Sequence, residues 1–481
     1  MPRKRPDPSF DPTPDQPIGI PLPTSTAIDA HALVIVWSRA EPQRVGECVL
    51  VTQRASVLGR GGPRPEDGGA RLTFAAMRPG NFVYGAPLAA PTLSRVHLKV
   101  AAGSDGVSFH RTGKGPVELD GKPVEQGVLR PGSTLLLATE LLVVCEKRAA
   151  QIPDSVLTRT PDFPFGSPDP LRITGECPIT WRLRDQIRFA AGSGAPVLVV
   201  GPPGSGKDLV ARAVHGASAS RERPFLILGG ATLTRADLEA LQARTDAPFV
   251  VVDEVSDVSP DVQPFLSRLI ALTSSLPLPR LRIVAINSAP LAVASHVMSS
   301  GPAGSSGMAG PSESIRADLA SRFILTVRVP GLDERRADVP LIARAIVREI
   351  AAEQAEIGLR FIESWDPETQ TGEPRLSPAL VDRLVRHRWQ AHARELTAFL
   401  WTAMTTATET WLDATPEVCS QLDATPDTSF TDPNRLEDED VREALDQANG
   451  KVAVAARILG LKNRWVLYRL MDRFGIKAVE R

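Results

Sequence analysis

Residues Gly201-Pro202-Pro203-Gly204-Ser205-Gly206-Lys207 have the spacing of a phosphate cradle. The glycines let the backbone curl until its N–H groups face an anion. Lys207 supplies a point charge for the terminal phosphates, and the following helix lends its positive end. The frame is right as well, with the apolar run Ala195 to Val200 before the loop and the helical run Leu209 to Val214 after it. Downstream, Phe249-Val250-Val251-Val252-Asp253-Glu254 reads as a buried strand ending in two carboxylates. Asp253 suits a Mg²⁺ held through water, and Glu254 suits polarising an attacking water. Together these residues predict a protein that binds a nucleoside triphosphate, ATP, with Mg²⁺ and hydrolyses it.

The elements that must position this chemistry can be traced along the 481 residues. Residues 1–30 are rich in Pro and Asp and predict a disordered tail. Residues 31–148 read as short strands punctuated by Gly and Pro, an all-β domain. Residues 149–171 carry Pro153, Pro161, Pro164, Pro168 and Pro170 and read as a linker. Residues 172–337 alternate strands with amphipathic helices, as a parallel α/β domain does, with a Gly/Ser-rich loop from Ser299 to Ser314. Residues 338–410 read as helices, 411–435 as a second linker with Asp-Ala-Thr-Pro turns, and 436–481 as helical.

The formal net charge of −1 gives no global field for nucleic acid or membrane, so such a partner needs a local patch. Cys48, Cys145, Cys177 and Cys419 lie far apart, as reduced thiols do. No signal peptide follows Met1-Pro2-Arg3-Lys4-Arg5, and no apolar run approaches the ~18 residues of a membrane span. A cytoplasmic protein with no membrane partner is expected.

Further residues fit one architecture. Leu281 to Asn287 is an apolar strand ending in a side chain suited to sensing a γ-phosphate. Arg316 and Arg322 flank Asp318-Leu319 near a subunit face, and Arg394-Glu395-Leu396 follows Trp389 in the helical segment. Over about residues 172–405 the chain resembles the AAA+ domain of the sigma-54-dependent transcription activators. Asp208 matches their acid after the loop lysine, beside the metal. Asp253-Glu254 and Ala285-Ile286-Asn287 match their strand ends. The resemblance implies that Arg316 and Arg322 act in trans as arginine fingers in a homo-oligomer, with Glu254, on a nucleotide held by residues 201–208, Asn287 and Arg394. Two family insertions are missing. No Gly-Ala-Phe-Thr-Gly-Ala loop, which grips sigma-54, stands between Leu233 and Asp253, and the stretch Leu269 to Arg280 lacks Arg-Val-Gly-Gly. Gly229 replaces the asparagine that restrains the catalytic glutamate. The nucleotide pocket is kept, while engagement of sigma-54 RNA polymerase is put in doubt.

The β domain resembles a forkhead-associated (FHA) domain, with Gly59-Arg60, Ser94-Arg95-Val96-His97 and the turn Asp120-Gly121 matching its motifs. This implies a phosphothreonine protein as partner, with Arg60, Ser94, Arg95 and His97 at the phosphopeptide site, although Lys114 replaces an orienting asparagine. The last segment resembles a Fis-type helix-turn-helix, with Ala455-Ala456, Leu459-Gly460, Leu467-Tyr468-Arg469 and Gly475-Ile476 matching. Residues 451–481 hold eight Lys/Arg against two Asp/Glu, the electrostatic footprint of a double-stranded DNA reader. Lys462, Asn463, Arg464, Tyr468 and Arg469 are the expected DNA contacts.

The fold expected is therefore an FHA-like β sandwich, an α/β P-loop AAA+ domain with a helical lid, and an all-α helix-turn-helix. The function expected is that of an ATP-binding, DNA-binding transcription regulator of the sigma-54 activator type. The alternative is a DNA-binding switch whose nucleotide only controls oligomerisation.

Overall fold

The computed structural model describes residues 29–152, 161–274, 281–289, 291, 315–423, 436 and 438–447, with nine single positions between 455 and 476. It divides into two units, Met1–Thr415 and Pro416–Arg481.

The first unit begins with β1 (Asp29–Ser38), β2 (Cys48–Leu50), β3 (Ser56–Leu58), β4 (Ala70–Arg71), β5 (Ala75–Arg78), β6 (Asn81–Tyr84), β7 (Leu98–Ala102), β8 (Val107–Arg111), β9 (Val117–Leu119), β10 (Lys122–Pro123), β11 (Gln126–Leu129), β12 (Thr134–Leu137) and β13 (Leu141–Ala149). They form an eight-stranded sheet, β10-β9-β12-β13-β1-β2-β5-β6, and a five-stranded sheet, β11-β8-β7-β3-β4. Side chains from both sheets, Leu33, Ile35, Leu58, Leu98, Phe109, Leu135 and Val143 among them, fill the core between. A strand covered on one face alternates apolar and polar residues, but Ala32 to Trp37 is apolar throughout and every residue is buried. The reason is tertiary, because the outer face of this sheet packs on the helical segment of the same unit.

The α/β part runs α1 (Pro178–Ser193), β14 (Val197–Val200), α2 (Lys207–Ala217), β15 (Phe225–Gly229), α3 (Arg235–Ala243), β16 (Phe249–Asp253), α4 (Gln263–Ser274), β17 (Arg282–Asn287), α5 (Ala317–Ala320) and β18 (Leu325–Arg328). Its sheet is wholly parallel, in the order β15-β16-β17-β14-β18. Apolar layers cover both faces, Val250, Val252, Leu266 and Phe323 on one and Val197, Val199, Ile187 and Val214 on the other. That two-sided burial explains the unbroken apolar runs of β14 and β16.

The lid follows, with α6 (Val339–Glu353), α7 (Ala355–Phe361), β19 (Ile362–Asp366), β20 (Thr371–Pro374), α8 (Pro378–Arg386) and α9 (His392–Thr406). The hairpin β19–β20 interrupts residues 338–410, which read as helical from the sequence. Thr371-Gly372-Glu373-Pro374 carries no alternation of apolar and polar residues to announce a strand.

The first linker, where it is described, packs against both of its neighbours. Phe163 stacks on Trp181, with centroids 6.0 Å apart, and the Arg78 guanidinium lies 4.6 Å over Phe163. Arg78 also pairs with Glu176 at 2.7 Å. The sandwich is tied to the lid as well. Trp37 Nε1 donates to Leu376 O at 2.8 Å, Thr134 Oγ1 donates to Asp382, and Arg344 donates to Pro42 O at 2.9 Å. Leu341, on α6, is a member of the sandwich's own core.

In the second unit, α10 (Pro416–Asp423) occupies part of the expected second linker, and α11 (Asp438–Gln447) follows. Val441, Ala444, Leu445, Ala455, Leu461, Leu467, Leu470 and Met471 form its apolar core. Among the described residues no helix is long and apolar enough to cross a membrane. The Gly/Ser-rich loop Ser299 to Ser314 lies outside the described residues.

Candidate functional site

The loop Gly201 to Gly206 joins the end of β14 to the start of α2, at the carboxyl edge of the parallel sheet. Gly206 caps α2 in the left-handed region, at φ +98°, and Gly204 is left-handed at φ +75°. A side chain at Gly201 would press on Val329 O at 2.7 Å and Ser205 Oγ at 2.9 Å, and one at Gly204 would collide with Ala391 O. The lid therefore touches the loop directly, and Ala393 N donates to Gly204 O at 2.9 Å. Pro202 and Pro203 stiffen the loop between these contacts.

Lys207 is buried in the first turn of α2. Its Nζ donates to Gly201 O at 3.1 Å, Pro202 O at 3.5 Å and Ser288 Oγ at 3.3 Å. Burial lowers its pKa, opposed by Glu254, Asp253 and Asp208, while Arg394 adds to the lowering. Asp253 ends β16, and its carboxyl is raised by burial and then by Asp208 and Glu254. All three carboxylates thus favour the charged form of one ammonium. Among the described residues no group of three or more His, Cys, Asp or Glu side chains is placed to hold a metal by itself.

Glu254 follows β16 at φ +48°. Its carboxylate accepts from Ser288 N at 2.9 Å and from Ser288 Oγ, and it stands 3.7 Å from Lys207. Gly229 lies at the end of β15, where a side chain would meet Thr232 Oγ1 at 3.2 Å. A side chain at Gly230 would instead collide with Glu254 O. Asn287 ends β17, buried, accepting from Ser256 N at 3.2 Å and donating to Ala289 O at 2.6 Å.

A cavity of about 310 Å³ opens beside the loop. Ile173, Val210, Val329, Ile342 and Ala345 give it apolar walls, and Ser205, Gly206, Arg335 and Arg394 give it a polar end. Ser205 Oγ and Arg335 Nε are buried there without a hydrogen-bond partner. Arg335 Nη2 reaches Ser205 O at 3.5 Å, and burial lowers the Arg335 pKa. Sequence reasoning missed Arg335, because nothing in Asp333-Glu334-Arg335-Arg336 tells the inward arginine from its neighbour. It missed Ser288 as well, whose one signal is its place directly after the strand that ends at Asn287.

Glu395 shapes the lid's entry. It accepts from Gln390 N at 2.8 Å, Ala391 N at 2.9 Å and His387 Nε2 at 2.8 Å. Burial alone would raise this carboxyl, but those hydrogen bonds outweigh it and hold its pKa down. The Trp389 ring packs on His387 and Phe399. Arg316 and Arg322 are exposed, on the face formed by α4 and α5. Arg316 pairs with Asp318 at 2.9 Å, and Arg322 donates to Ser267 Oγ at 3.4 Å.

In the sandwich, the loops after β3, before β7 and after β8 converge. Arg60 N donates to Ser94 O at 3.2 Å, Lys114 N donates to Ser94 Oγ at 3.2 Å, and Ser94 N donates to His97 Nδ1 at 3.2 Å. His97 is fully buried, and burial lowers its pKa. Arg60 is exposed, and Arg95 O accepts from Arg71 at 2.8 Å. The expected DNA contacts Lys462, Asn463, Arg464, Tyr468 and Arg469 lie outside the described residues.

Comparison with known proteins points first to a domain. Residues 174–299 match the family described as "Sigma-54 interaction domain". That stretch holds the phosphate loop and the strands ending at Asp253 and Asn287, within a β-rich then AAA+ P-loop architecture. Among individual proteins, the chain is 27% identical over 354 residues to the transcriptional regulatory protein ZraR of Klebsiella oxytoca, covering 66% of this chain and 72% of that one. It is 27% identical over 330 residues to the Nif-specific regulatory protein of Azotobacter vinelandii, covering 62% of this chain but only 58% of that relative. The crystal structure of NtrX from Brucella abortus in complex with ADP aligns with a TM-score of 0.39 at 22% identity, covering 64% of this chain and 70% of that one. The chain is thus homologous to sigma-54 activators, which are transcription regulators.

Proposed function

We propose that this chain is an ATP-dependent transcription regulator of the sigma-54 activator type, working in the cytoplasm as a homo-oligomer on double-stranded DNA. The observation that carries the reading is the cavity beside Gly201 to Lys207. Its apolar walls suit a base, and its polar end places Ser205 and Arg335, with buried unpartnered atoms, against the phosphate loop. Lys207 meets backbone carbonyls and a hydroxyl there, partners it can exchange for phosphate oxygens. Asp208 and Asp253 would hold Mg²⁺, whose remaining ligands would be phosphate oxygens and water. The metal supplies charge neutralisation between the phosphates when bound. Glu254 would orient the attacking water, and Arg394 would report the phosphates to the lid. Arg316 and Arg322, exposed beside α5, would act on a neighbour's nucleotide. The basic last segment would read DNA, and the Ser94 loop would hold a phosphothreonine.

Equilibrium binding of Mg²⁺-ATP and phosphate release by the full chain test this reading. Lys207→Ala should abolish binding, and Glu254→Gln should bind and not turn over. Equal affinity in wild type and Lys207→Ala would overturn it.

One observation favours a second reading, in which nucleotide controls only assembly on DNA. Between β15 and β16 the chain is used up by a single turn and the short helix α3, which leaves no length for a projecting loop that could grip sigma-54. ATP-dependent open-complex formation with sigma-54 polymerase would refute it.

A further inference from the structure

Ser288 lies directly after β17 and joins the two charges on which the hydrolytic reading depends. Its N–H donates to Glu254 Oε2 at 2.9 Å, and its hydroxyl donates to Glu254 Oε1. The same hydroxyl accepts from Lys207 Nζ at 3.3 Å. One side chain therefore bridges the cation of the phosphate loop and the carboxylate that would act on water. Both carboxylate oxygens are held toward β17. On the β15 side Gly229 has no side chain to offer, and the left-handed backbone at Glu254, φ +48°, is strained for a residue with a Cβ.

We propose that Ser288 is the positioning residue that restrains Glu254 and releases it in response to nucleotide at Lys207. The coupling is electrostatic. A hydroxyl that accepts from an ammonium is a stronger donor, because the two hydrogen bonds polarise one another. While Lys207 donates to Ser288, the Ser288 hydroxyl grips Glu254. When Lys207 turns to phosphate oxygens, that support is lost and the grip loosens without being abolished, so one carboxylate oxygen is available to orient water for only part of the time that ATP is bound. The N–H bond from Ser288 keeps the other oxygen in place. This inference rests on the ATPase reading above, and it assigns to β17 a restraint that the Gly229 position cannot supply.

The test uses the full chain and four proteins, wild type, Ser288→Ala, Ser288→Cys and Ser288→Thr. Affinity for Mg²⁺-ATP is measured by equilibrium titration, and turnover by phosphate release at saturating ATP. Ser288→Ala should raise kcat about tenfold with ATP affinity within about threefold of wild type. Tenfold corresponds to ~1.4 kcal/mol, one hydrogen bond to a charged group. Ser288→Cys, close in size but a weak donor, should also be faster. Ser288→Thr keeps the hydroxyl and should stay at the wild-type rate, which a merely structural role would not require. Unchanged or lowered turnover in Ser288→Ala and Ser288→Cys with ATP binding intact would overturn the proposal. A wild-type chain that fails to bind ATP would overturn the ATPase reading instead, a result the binding titration identifies separately.

Discussion

Replacing Asp338 should cost more than replacing any charge on the surface of this protein. Asp338 is 1% exposed at the start of the lid. One oxygen accepts from Glu176 N at 2.7 Å and Cys177 N at 2.9 Å, and the other accepts from Thr180 Oγ1 at 2.6 Å. These donors form the N-terminus of α1, whose N-cap, Cys177, has no capping side chain. Asp338 is therefore a cap delivered from the lid, and its charge also faces the positive end of the helix. Asp338→Ala strands three buried donors. At about 1–3 kcal/mol per unsatisfied group, with partial relaxation, the loss should be ~3–5 kcal/mol. Asp338→Asn keeps an oxygen for the two N–H groups and loses the charge, so ~1 kcal/mol is expected. Denaturant unfolding gives the magnitudes, and hydrogen exchange at the Glu176 and Cys177 amides localises them. A loss under ~1 kcal/mol for the alanine, or equal losses for both variants, would refute the tertiary cap.

Mixing Glu254→Gln with Arg322→Ala subunits should restore part of the turnover that each lacks alone. Normal turnover by Arg322→Ala would remove the finger assignment. Acid should loosen the β domain and the lid. Burial holds His97 and His392 below the ordinary 6.5, against nearby carboxylates at His392, so the unfolded chain takes up protons first as pH falls. Their contribution is full above pH 6.5 and is lost as pH falls through the lowered folded values. Each Nδ1 accepts a backbone N–H, from Ser94 and from Leu332, and protonation there would set donor against donor. His97→Asn should show a shallower fall in melting temperature between pH 7 and 5, and an identical fall would count against this cause. Arg60→Ala should remove any binding of a phosphothreonine peptide. A calorimetric titration with equal affinity for phosphorylated and plain peptide would leave the sandwich without that role.

The glycine loop and the strands around it were legible because their signals are local. A curled loop between strand and helix needs glycines at set positions, so Gly201, Gly204 and Gly206 announce it. Strands buried on both faces need unbroken apolar runs, so β14, β16 and β17 announce themselves. The hairpin β19–β20 was hidden because Gly372 and Pro374 carry no pattern of two. Arg335 and Ser288 were hidden because an inward arginine and a bridging hydroxyl look like any surface arginine and serine until the neighbouring elements are in place.

Alone, the sequence determined where the glycine loop falls, which faces must be buried and where along the chain basic residues concentrate, since residue type and periodicity express these directly. Tertiary structure decided what those groups face. It set Asp338 on an uncapped helix 161 positions from Cys177, turned Glu254 toward Ser288, and covered the outer face of β1 with the lid. Those outcomes depend on hydrogen bonds and contacts between residues far apart in the chain. Such partners are chosen when buried polar groups must be satisfied and apolar faces covered at once, and no local pattern records that choice.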